Sequence, residues 1–222
     1  KKNERAGRPL VEPLYTYNDA MDALKFVKPV LYDQLVELND QMKIVFNDAG
    51  HILGSAITEI WVTENDQTSK IVFSGDLGMV DRPILRDPTF IKKADYVIME
   101  TTYGNRNHPE NSTSIQELLD IILKTVKRGG NVVIPSFAVG RTQEILYFIR
   151  EIKERNMLPE YPGFKVYLDS PLAIESTSIF SKNKYDCFDE DALALIRQGI
   201  NPLVFDGLIT STTSDDSRLI NE

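Results

Sequence analysis

The pattern of apolar residues changes near Gly104. Before this glycine, short segments rich in β-branched and aromatic residues alternate with polar turns, which predicts neighbouring strands of one sheet. These segments are Met42 to Phe46, Ala56 to Thr63, Lys70 to Phe73 and Tyr96 to Met99. After the glycine, helical and strand-like segments alternate, which favours a mainly parallel sheet flanked by helices. The sequence therefore predicts an α/β protein with a domain boundary near Gly104.

Individual elements follow from periodicity and from end signals. Apolar residues recur at helical spacing after Ser114, which forms a capping-box pattern with Glu117, and Gly129 is expected to end this helix. An earlier helix is expected from Asn18 to Val27, with Asn18 or Asp19 as its N-cap and Pro29 beyond its end. The remaining expected elements are a buried strand at 131–135, a helix at 141–153, a strand at 165–168, a helix from Pro171, a helix at 189–198 and a polar, less ordered tail at 210–222.

Composition excludes several classes of protein. With 222 residues, of which 42% are hydrophobic, the chain can bury a substantial core. The chain has no apolar run of about 18 residues, and its basic start leads into Pro9, so neither a membrane span nor a targeting segment is expected. Cys187 is the single cysteine. It cannot form an intrachain disulfide, so a cytoplasmic protein with a buried or idle thiol is expected.

The formal net charge of -8 constrains how this chain can bind nucleic acid. Neutralisation of phosphates dominates binding through a diffuse basic surface, and an acidic chain is poorly suited to it. A nuclease with this composition is therefore expected to use a local site.

Two segments share one layout, an apolar strand followed by a glycine-framed turn that holds a single metal-ligand type of side chain. The first turn presents His51 between Gly50 and Gly54, and the second presents Asp76 between Gly75 and Gly78. Glycines let the backbone turn sharply and keep Cβ atoms away from whatever the side chains reach. Zinc takes imidazole and carboxylate ligands, yet a lone loop histidine or a turn aspartate is usually structural. Spacing alone leaves both alternatives open.

Longer motifs around these residues resemble a known family. The stretch from Asp48 to Ala56, then Phe73 to Gly78, then Met99 to Gly104 is similar to the third and fourth metal motifs of the metallo-β-lactamase superfamily followed by motif A of its β-CASP branch. Residues 135–144 and 168–173 resemble the next two signature stretches, and the similarity continues to residues 201–203. The resemblance implies a partial metallo-β-lactamase αββα sandwich in residues 1–103, followed by a β-CASP α/β domain in residues 104–222.

The resemblance also implies an activity. Members of the β-CASP branch cut RNA, and some cut DNA, with a hydroxide held between two zinc ions. His51 is then expected to be a terminal zinc ligand, Asp76 the carboxylate that bridges both ions, and Glu100 the motif A acid that orients a downstream histidine near the leaving group. The structural alternative for Glu100 is a strand-end carboxylate that caps a nearby turn.

Three further residues are candidates for substrate binding. Arg141 follows Gly140 at an expected helix start, where backbone N–H groups and the helix dipole favour an anion. A phosphate contact and a salt bridge to Glu144 are equally compatible with this position. Ser136 and Ser170 lie at expected strand ends on the side of the sheet where α/β proteins bind ligands.

The histidine count limits the expected metal centre. The superfamily also carries a His-x-His-x-Asp-His motif, and this chain has only two histidines, the second being His108 in a polar loop. The chain therefore resembles an internal fragment of the catalytic domain, and by itself is expected to bind zinc weakly and to be inactive. The expected partners are RNA, with DNA as the alternative, a second copy in a homodimer, and the missing portions of its own catalytic domain. A non-catalytic scaffold subunit and a small-molecule hydrolase are the competing interpretations.

Overall fold

The structure is a computed structural model, and it describes residues 2–7, 9, 11–107 and 114–220. The chain divides into two compact units, Lys1–Leu31 and Tyr32–Glu222. The first unit contains helix α1 (Lys2–Arg5), helix α2 (Tyr17–Ala23) and a 3-10 turn (Leu24–Phe26).

The N-cap predicted for helix α2 was wrong. Thr16 caps this helix, not Asn18 or Asp19. Its hydroxyl accepts the Asp19 N–H at 3.3 Å, while the Asp19 carboxylate accepts the Thr16 N–H at 2.7 Å. Asp19 therefore completes a reciprocal capping box from the third helical position, and the helix starts earlier than expected.

The second unit begins with a five-stranded sheet in the order β1-β2-β3-β4-β5. The strands are β1 (Val36–Asn39), β2 (Met42–Asp48), β3 (Ala56–Glu64), β4 (Gln67–Phe73) and β5 (Tyr96–Ile98). Neighbours are antiparallel except β5, which runs parallel to β4. The four predicted strands are confirmed. Strand β1 is additional, and it is short and largely exposed.

One face of this sheet packs against residues 77–94, and the other carries a second set of apolar side chains, most of which are partly buried. On the covered face, Ala49, Ile57 and Val72 are buried against apolar side chains from residues 77–94. On the opposite face, strand register aligns two rows across the sheet. The first row is Val36, Ile44, Ile60, Ile71 and Tyr96, and the second is Phe46, Thr58, Phe73 and Ile98. Near β5 both faces are open, since Tyr96 is 61%, Val97 62% and Ile98 49% exposed.

The rest of the unit is mainly helical. Its helices are α3 (Ser114–Lys127), α4 (Arg141–Glu154), α5 (Pro171–Lys182), α6 (Lys184–Cys187), α7 (Glu190–Arg197) and α8 (Ser214–Leu219). Strands β6 (Val166–Leu168) and β7 (Leu208–Thr210) form a parallel pair. The predicted helices and the strand at 165–168 are confirmed to within a few residues. The capping box of Ser114 and Glu117 stays a prediction, because the side chain of Ser114 lies outside the described part of the chain.

Two expectations for this region were wrong. Residues 131–135 form no strand, because no described strand lies beside them to supply hydrogen-bond partners. Val133, which was expected to be buried, is 86% exposed. The mainly parallel sheet is therefore reduced, among the described residues, to the β6–β7 pair. The polar tail is more ordered than expected, since Thr213 caps helix α8 through the Asp216 N–H. The domain boundary near Gly104 stays a prediction.

Candidate functional site

His51 lies in a tight loop between β2 and β3. Gly50 adopts a left-handed conformation with φ of 63°, and a Cβ there would lie 2.8 Å from Pro88. Its N–H donates to the buried Asp48 carboxylate at 2.9 Å. Burial raises the pKa of that carboxyl, although the bond from Gly50 opposes the shift. Glycine is therefore required at this turn, both by conformation and by space.

Ser55 holds the His51 loop closed. Its hydroxyl oxygen accepts the N–H groups of His51 at 3.1 Å and Ile52 at 3.2 Å. Its backbone N–H donates to the Ile52 carbonyl, and its carbonyl accepts both the Ala49 N–H and the Tyr32 hydroxyl. Both peptide groups that flank His51 are thus bonded to one side-chain oxygen.

Asp76 lies in the turn that follows strand β4. The Ser74 hydroxyl donates to the Gly75 carbonyl at 2.7 Å, and the Leu77 N–H donates to the Glu100 carboxylate at 2.7 Å. These two groups belong to the peptide units on either side of Asp76, so the backbone at Asp76 is held from both directions.

The two turns are in direct contact. The Gly78 N–H donates to the Ala49 carbonyl at 2.8 Å. A Cβ on Gly78 would lie only 1.8 Å from the Gly50 carbonyl oxygen, so only glycine permits this approach. The structure therefore brings the backbones that carry His51 and Asp76 into one hydrogen-bonded unit.

Glu100 connects the end of β5 to this unit. One carboxylate oxygen accepts the Leu77 N–H, and the other accepts the Thr102 hydroxyl at 2.7 Å. These bonds, with a smaller contribution from the charge of nearby His51, lower the pKa of Glu100 below its usual value. This arrangement is the turn-capping alternative considered for Glu100. Its role in orienting a downstream histidine stays a prediction.

The described residues do not form a complete metal site. Across residues 2–7, 9, 11–107 and 114–220, no group of three or more His, Cys, Asp or Glu side chains is placed to hold a metal ion. Zinc sites in proteins use three or four protein ligands. His51 and Asp76 supply suitable donor types but too few of them, so the residues present do not by themselves fit a metal.

The segment before helix α4 lies against the His51 loop. Gly140, with φ of 85°, is close enough to Ile52 that a Cβ would lie 3.3 Å from its side chain. Arg141 is the first residue of the helix and forms a salt bridge to Glu144 at 2.6 Å. The salt-bridge alternative for Arg141 is therefore observed, while a phosphate contact stays a prediction.

Ser136 and Ser170 both use their hydroxyl groups within the fold. The Ser136 hydroxyl lies 2.8 Å from the Thr142 hydroxyl at the start of α4. Ser170 is the N-cap of α5 and accepts the Ala173 N–H at 3.3 Å. No described contact joins Ser170 to the His51 or Asp76 turns, and substrate binding by either serine stays a prediction.

Gln143 supports this region and was not singled out by the sequence analysis. It is fully buried, and its side chain accepts the Gly140 N–H while donating to the Ala138 carbonyl and the Thr177 hydroxyl. A glutamine three residues after a glycine, at a helix start, was the available signal. Gln143 thus connects the loop that precedes Arg141 to Thr177 of helix α5.

A cleft of about 810 Å³ borders Arg141. It is lined by side chains of both charges, including Arg82, Arg86, Asp87 and Asp189. Asp189 is the N-cap of α7 through the Ala192 N–H, and burial raises its pKa. The predicted helix at 189–198 therefore begins with a partly buried N-cap.

Three further residues, Trp61, Cys187 and His108, either have structural roles or lie outside the described residues. Trp61 is partly buried beneath the Lys70 ammonium group, 5.1 Å from the ring centroid. Cys187 is a buried free thiol, as expected, and burial raises its pKa. His108 lies outside the described residues. Within the described part, no helix has the length and apolar character needed to cross a membrane.

Several known proteins are similar in sequence to this chain. Residues 142–222 match the Beta-Casp domain. The chain is 36% identical over 219 residues to Ribonuclease TTHA0252 of Thermus thermophilus, covering 98% of the chain and 48% of that protein. It is 34% identical over 185 residues to the transcription termination factor FttA of Methanosarcina mazei, covering 82% of the chain and 28% of the factor. It is also 33% identical over 169 residues to an RNase J-like protein of Methanocaldococcus jannaschii, covering 75% of the chain and 38% of that protein. The chain thus spans about half the length of the Thermus relative, and less of the others.

Proposed function

Because this chain belongs to the β-CASP branch of the metallo-β-lactamase superfamily, we propose that it is part of a zinc-dependent nuclease that hydrolyses RNA phosphodiester bonds. The observation that carries the proposal is the contact between the His51 and Asp76 turns, with Glu100 bonded beside them. Relatives named ribonuclease and RNase J-like protein support RNA as the substrate.

The second apolar face of the sheet supports the proposed sandwich. Domains form by packing layers, and an apolar sheet face requires a second layer. The row Val36, Ile44, Ile60, Ile71 and Tyr96 supplies such a face. We therefore assign residues 1–103 to part of a metallo-β-lactamase αββα sandwich and residues 104–222 to the β-CASP domain. The Beta-Casp match at residues 142–222 falls within the second assignment.

Zinc is the proposed cofactor of the whole protein, with two ions in the intact site. His51 would be a terminal ligand and Asp76 would offer its carboxylate to both ions, with the remaining ligands supplied by residues outside this chain. Zinc polarises a phosphoryl oxygen and lowers the pKa of bound water. Within the chain itself, Glu100 and Ser74 hold the Asp76 turn, and Ser55 holds the His51 loop.

The isolated chain of 222 residues is proposed to be inactive. It contains two histidines in all, and the described residues hold no cluster of three candidate ligands. Two ligands give weak zinc binding, with dissociation constants expected above about 1 μM. Calorimetric titration of the chain with zinc measures this, and nanomolar affinity or RNA cleavage by the chain alone would contradict it.

Two alternatives remain distinct from this proposal. A DNA-processing nuclease of the same branch would use the same residues on a different substrate. A non-catalytic scaffold that binds RNA would keep the fold without needing the ligands. The chain's resemblance to a relative named a transcription termination factor is compatible with either an RNA-cutting or an RNA-binding role.

A cleavage assay separates these functions. The protein that carries this chain within a complete catalytic domain is incubated with labelled single-stranded RNA and DNA, with and without a zinc chelator. Chelator-sensitive cleavage of RNA is the expected result. RNA binding without cleavage would favour the scaffold, and preferential DNA cleavage would favour the DNA nuclease.

Matched variants assign the activity to this site. His51→Ala is expected to abolish cleavage, whereas His108→Gln, at the only other histidine, is expected to retain it. Asp66→Asn, in the exposed β3–β4 turn, is the control for Asp76→Asn. Equal activity of His51→Ala and the unchanged protein would refute the assignment.

A further inference from the structure

The turns that carry His51 and Asp76 share a bonding pattern. At His51, the peptide groups on both sides donate their N–H groups to the Ser55 hydroxyl oxygen at 3.1 and 3.2 Å. At Asp76, the preceding carbonyl accepts from the Ser74 hydroxyl, and the following N–H donates to Glu100. Each candidate ligand therefore has both flanking peptide units fixed by side chains.

The side chains of the two candidate ligands are not used in this bonding. Neither the His51 imidazole nor the Asp76 carboxylate forms a hydrogen bond or ion pair with another residue in the described ranges 2–7, 9, 11–107 and 114–220. The neighbouring serines hold the backbone, so the direction of each Cα–Cβ bond is set while the side chain stays available.

From this pattern we infer that Ser55 and Ser74 are positioning residues, which fix the backbone of His51 and Asp76 in place before any ligand is bound. This role rests on the proposed function, because positioning has a purpose only if His51 and Asp76 act together. Pre-organised groups lose less conformational entropy when they engage a ligand, which raises affinity without adding a contact.

Both serines also make further hydrogen bonds within the fold. Ser74 is 5% exposed, its N–H donates to the Ile98 carbonyl, and its hydroxyl oxygen accepts the Glu100 N–H at 3.1 Å. The Ser55 carbonyl accepts the Tyr32 hydroxyl at 2.8 Å. The Gly78 N–H to Ala49 carbonyl bond then joins the two turns. Hydrogen bonds therefore connect β5, through Ser74 and the two turns, to Ser55, which immediately precedes β3.

The test is amide hydrogen exchange in the isotope-labelled chain without metal. In the unchanged chain, the amides of His51, Ile52, Leu77 and Glu100 are expected to be protected. Ser55→Ala is expected to speed exchange at His51 and Ile52 by about tenfold, the change that loss of one ordinary hydrogen bond produces. Ser55→Thr keeps the hydroxyl and is expected to restore protection. Rapid exchange at His51 and Ile52 in the unchanged chain would overturn the inference, even if the alanine variant does not fold.

Residual dipolar couplings of the Cα–Hα bonds distinguish positioning from general stabilisation. In Ser55→Ala the coupling at His51 is expected to shrink, and in Ser74→Ala the coupling at Asp76. Ser181→Ala is the control, since the Ser181 hydroxyl makes one backbone bond within helix α5. Couplings at His51 and Asp76 that stay unchanged in both variants, with melting temperatures lowered as in the control, would show a merely structural role. Neither readout depends on zinc or on RNA cleavage, so the result stands apart from the proposed activity.

Discussion

The candidate metal ligands and the candidate substrate-binding residues differ in which part of the residue, backbone or side chain, is bonded within the fold. His51 and Asp76 have their backbones fixed by neighbouring side chains, while their own side chains make no bond within the described ranges. Arg141 and Ser170 instead use their side chains inside the fold, one in a salt bridge and one as a helix cap. A residue whose side chain is free and whose backbone is held is prepared to bind something else. The difference favours the His51 and Asp76 turns as the centre of the site.

The largest effect is expected where the two turns meet. In Gly78→Ala the new Cβ would lie 1.8 Å from the Gly50 carbonyl oxygen, and backbone atoms cannot yield as a flexible side chain does. The free energy of unfolding is expected to fall by more than about 3 kcal/mol, or the chain not to fold. Chemical denaturation measures this loss.

Gly163→Ala is the matched control for that variant. A Cβ on Gly163 meets no atom within 4 Å, so a change of less than about 0.5 kcal/mol is expected. Similar losses for both variants would show that the contact between the turns does not fix their arrangement.

A moderate effect is expected at Ser170. Ser170→Ala removes the oxygen that accepts the Ala173 N–H, and the loss of such a cap costs about 1 kcal/mol. Ser170→Thr keeps the oxygen and is expected to recover most of the stability, as thermal denaturation can measure. If Ser170→Ala leaves the stability unchanged but impairs RNA binding by the whole protein, Ser170 is a substrate-binding residue and its role as a helix cap is refuted.

Glu100 gives a smaller effect that depends on pH. Its folded pKa lies below the ordinary value because the charged form accepts bonds from Leu77 and Thr102. The stabilisation is therefore present above the ordinary glutamate pKa and is lost as pH falls through the lowered folded value. Since Glu100 is close to solvent, the contribution is expected to be roughly a few tenths of a kcal/mol.

Denaturation of the unchanged chain and of Glu100→Gln between about pH 6 and pH 3 tests this dependence. The unchanged chain is expected to lose more stability than the variant across the acid range. Parallel curves would mean that the carboxylate does not hold the Asp76 turn.

The smallest effect on stability is expected at Arg141. Arg141 is 53% exposed, so losing its pair with Glu144 in Arg141→Ala costs about 0.2 kcal/mol or less. Arg155→Ala removes an analogous pair with Glu151 at the other end of α4 and is the control. In the whole protein, a higher KM for RNA in Arg141→Ala alone would identify a phosphate contact. Equal KM values would leave Arg141 with the salt bridge only.

Local sequence signals predicted much of the fold. Strands β2 to β5 and helices α3, α4, α5 and α7 follow from periodicity, glycines and proline, which act within a few residues. The strand expected at 131–135 failed for the opposite reason. Its apolar composition is typical of a buried strand, but a strand needs a neighbour, and no described strand lies beside it.

The sequence predicted which residues belong to the candidate site, but not the hydrogen bonds that hold their turns. Glycine-framed turns and motif order indicated His51 and Asp76, whose turns lie in contact. The bonds from Ser55 to the His51 loop were not predicted, although they span only three or four residues, because a serine after a loop has many alternative partners. The bond from Leu77 to Glu100 spans 23 residues and depends on the pairing of β4 with β5. Long-range pairing of this kind is not encoded in local spacing.

The central claim is that His51 and Asp76 are two ligands of a zinc centre completed by the rest of the protein. Zinc content and affinity of the complete catalytic domain test it directly, in the unchanged protein and in Asp76→Asn, with Asp66→Asn as the control. The unchanged protein and the control are expected to hold two zinc ions tightly, and Asp76→Asn is expected to lose tight binding. Zinc binding by Asp76→Asn with the stoichiometry and affinity of the unchanged protein would contradict the account.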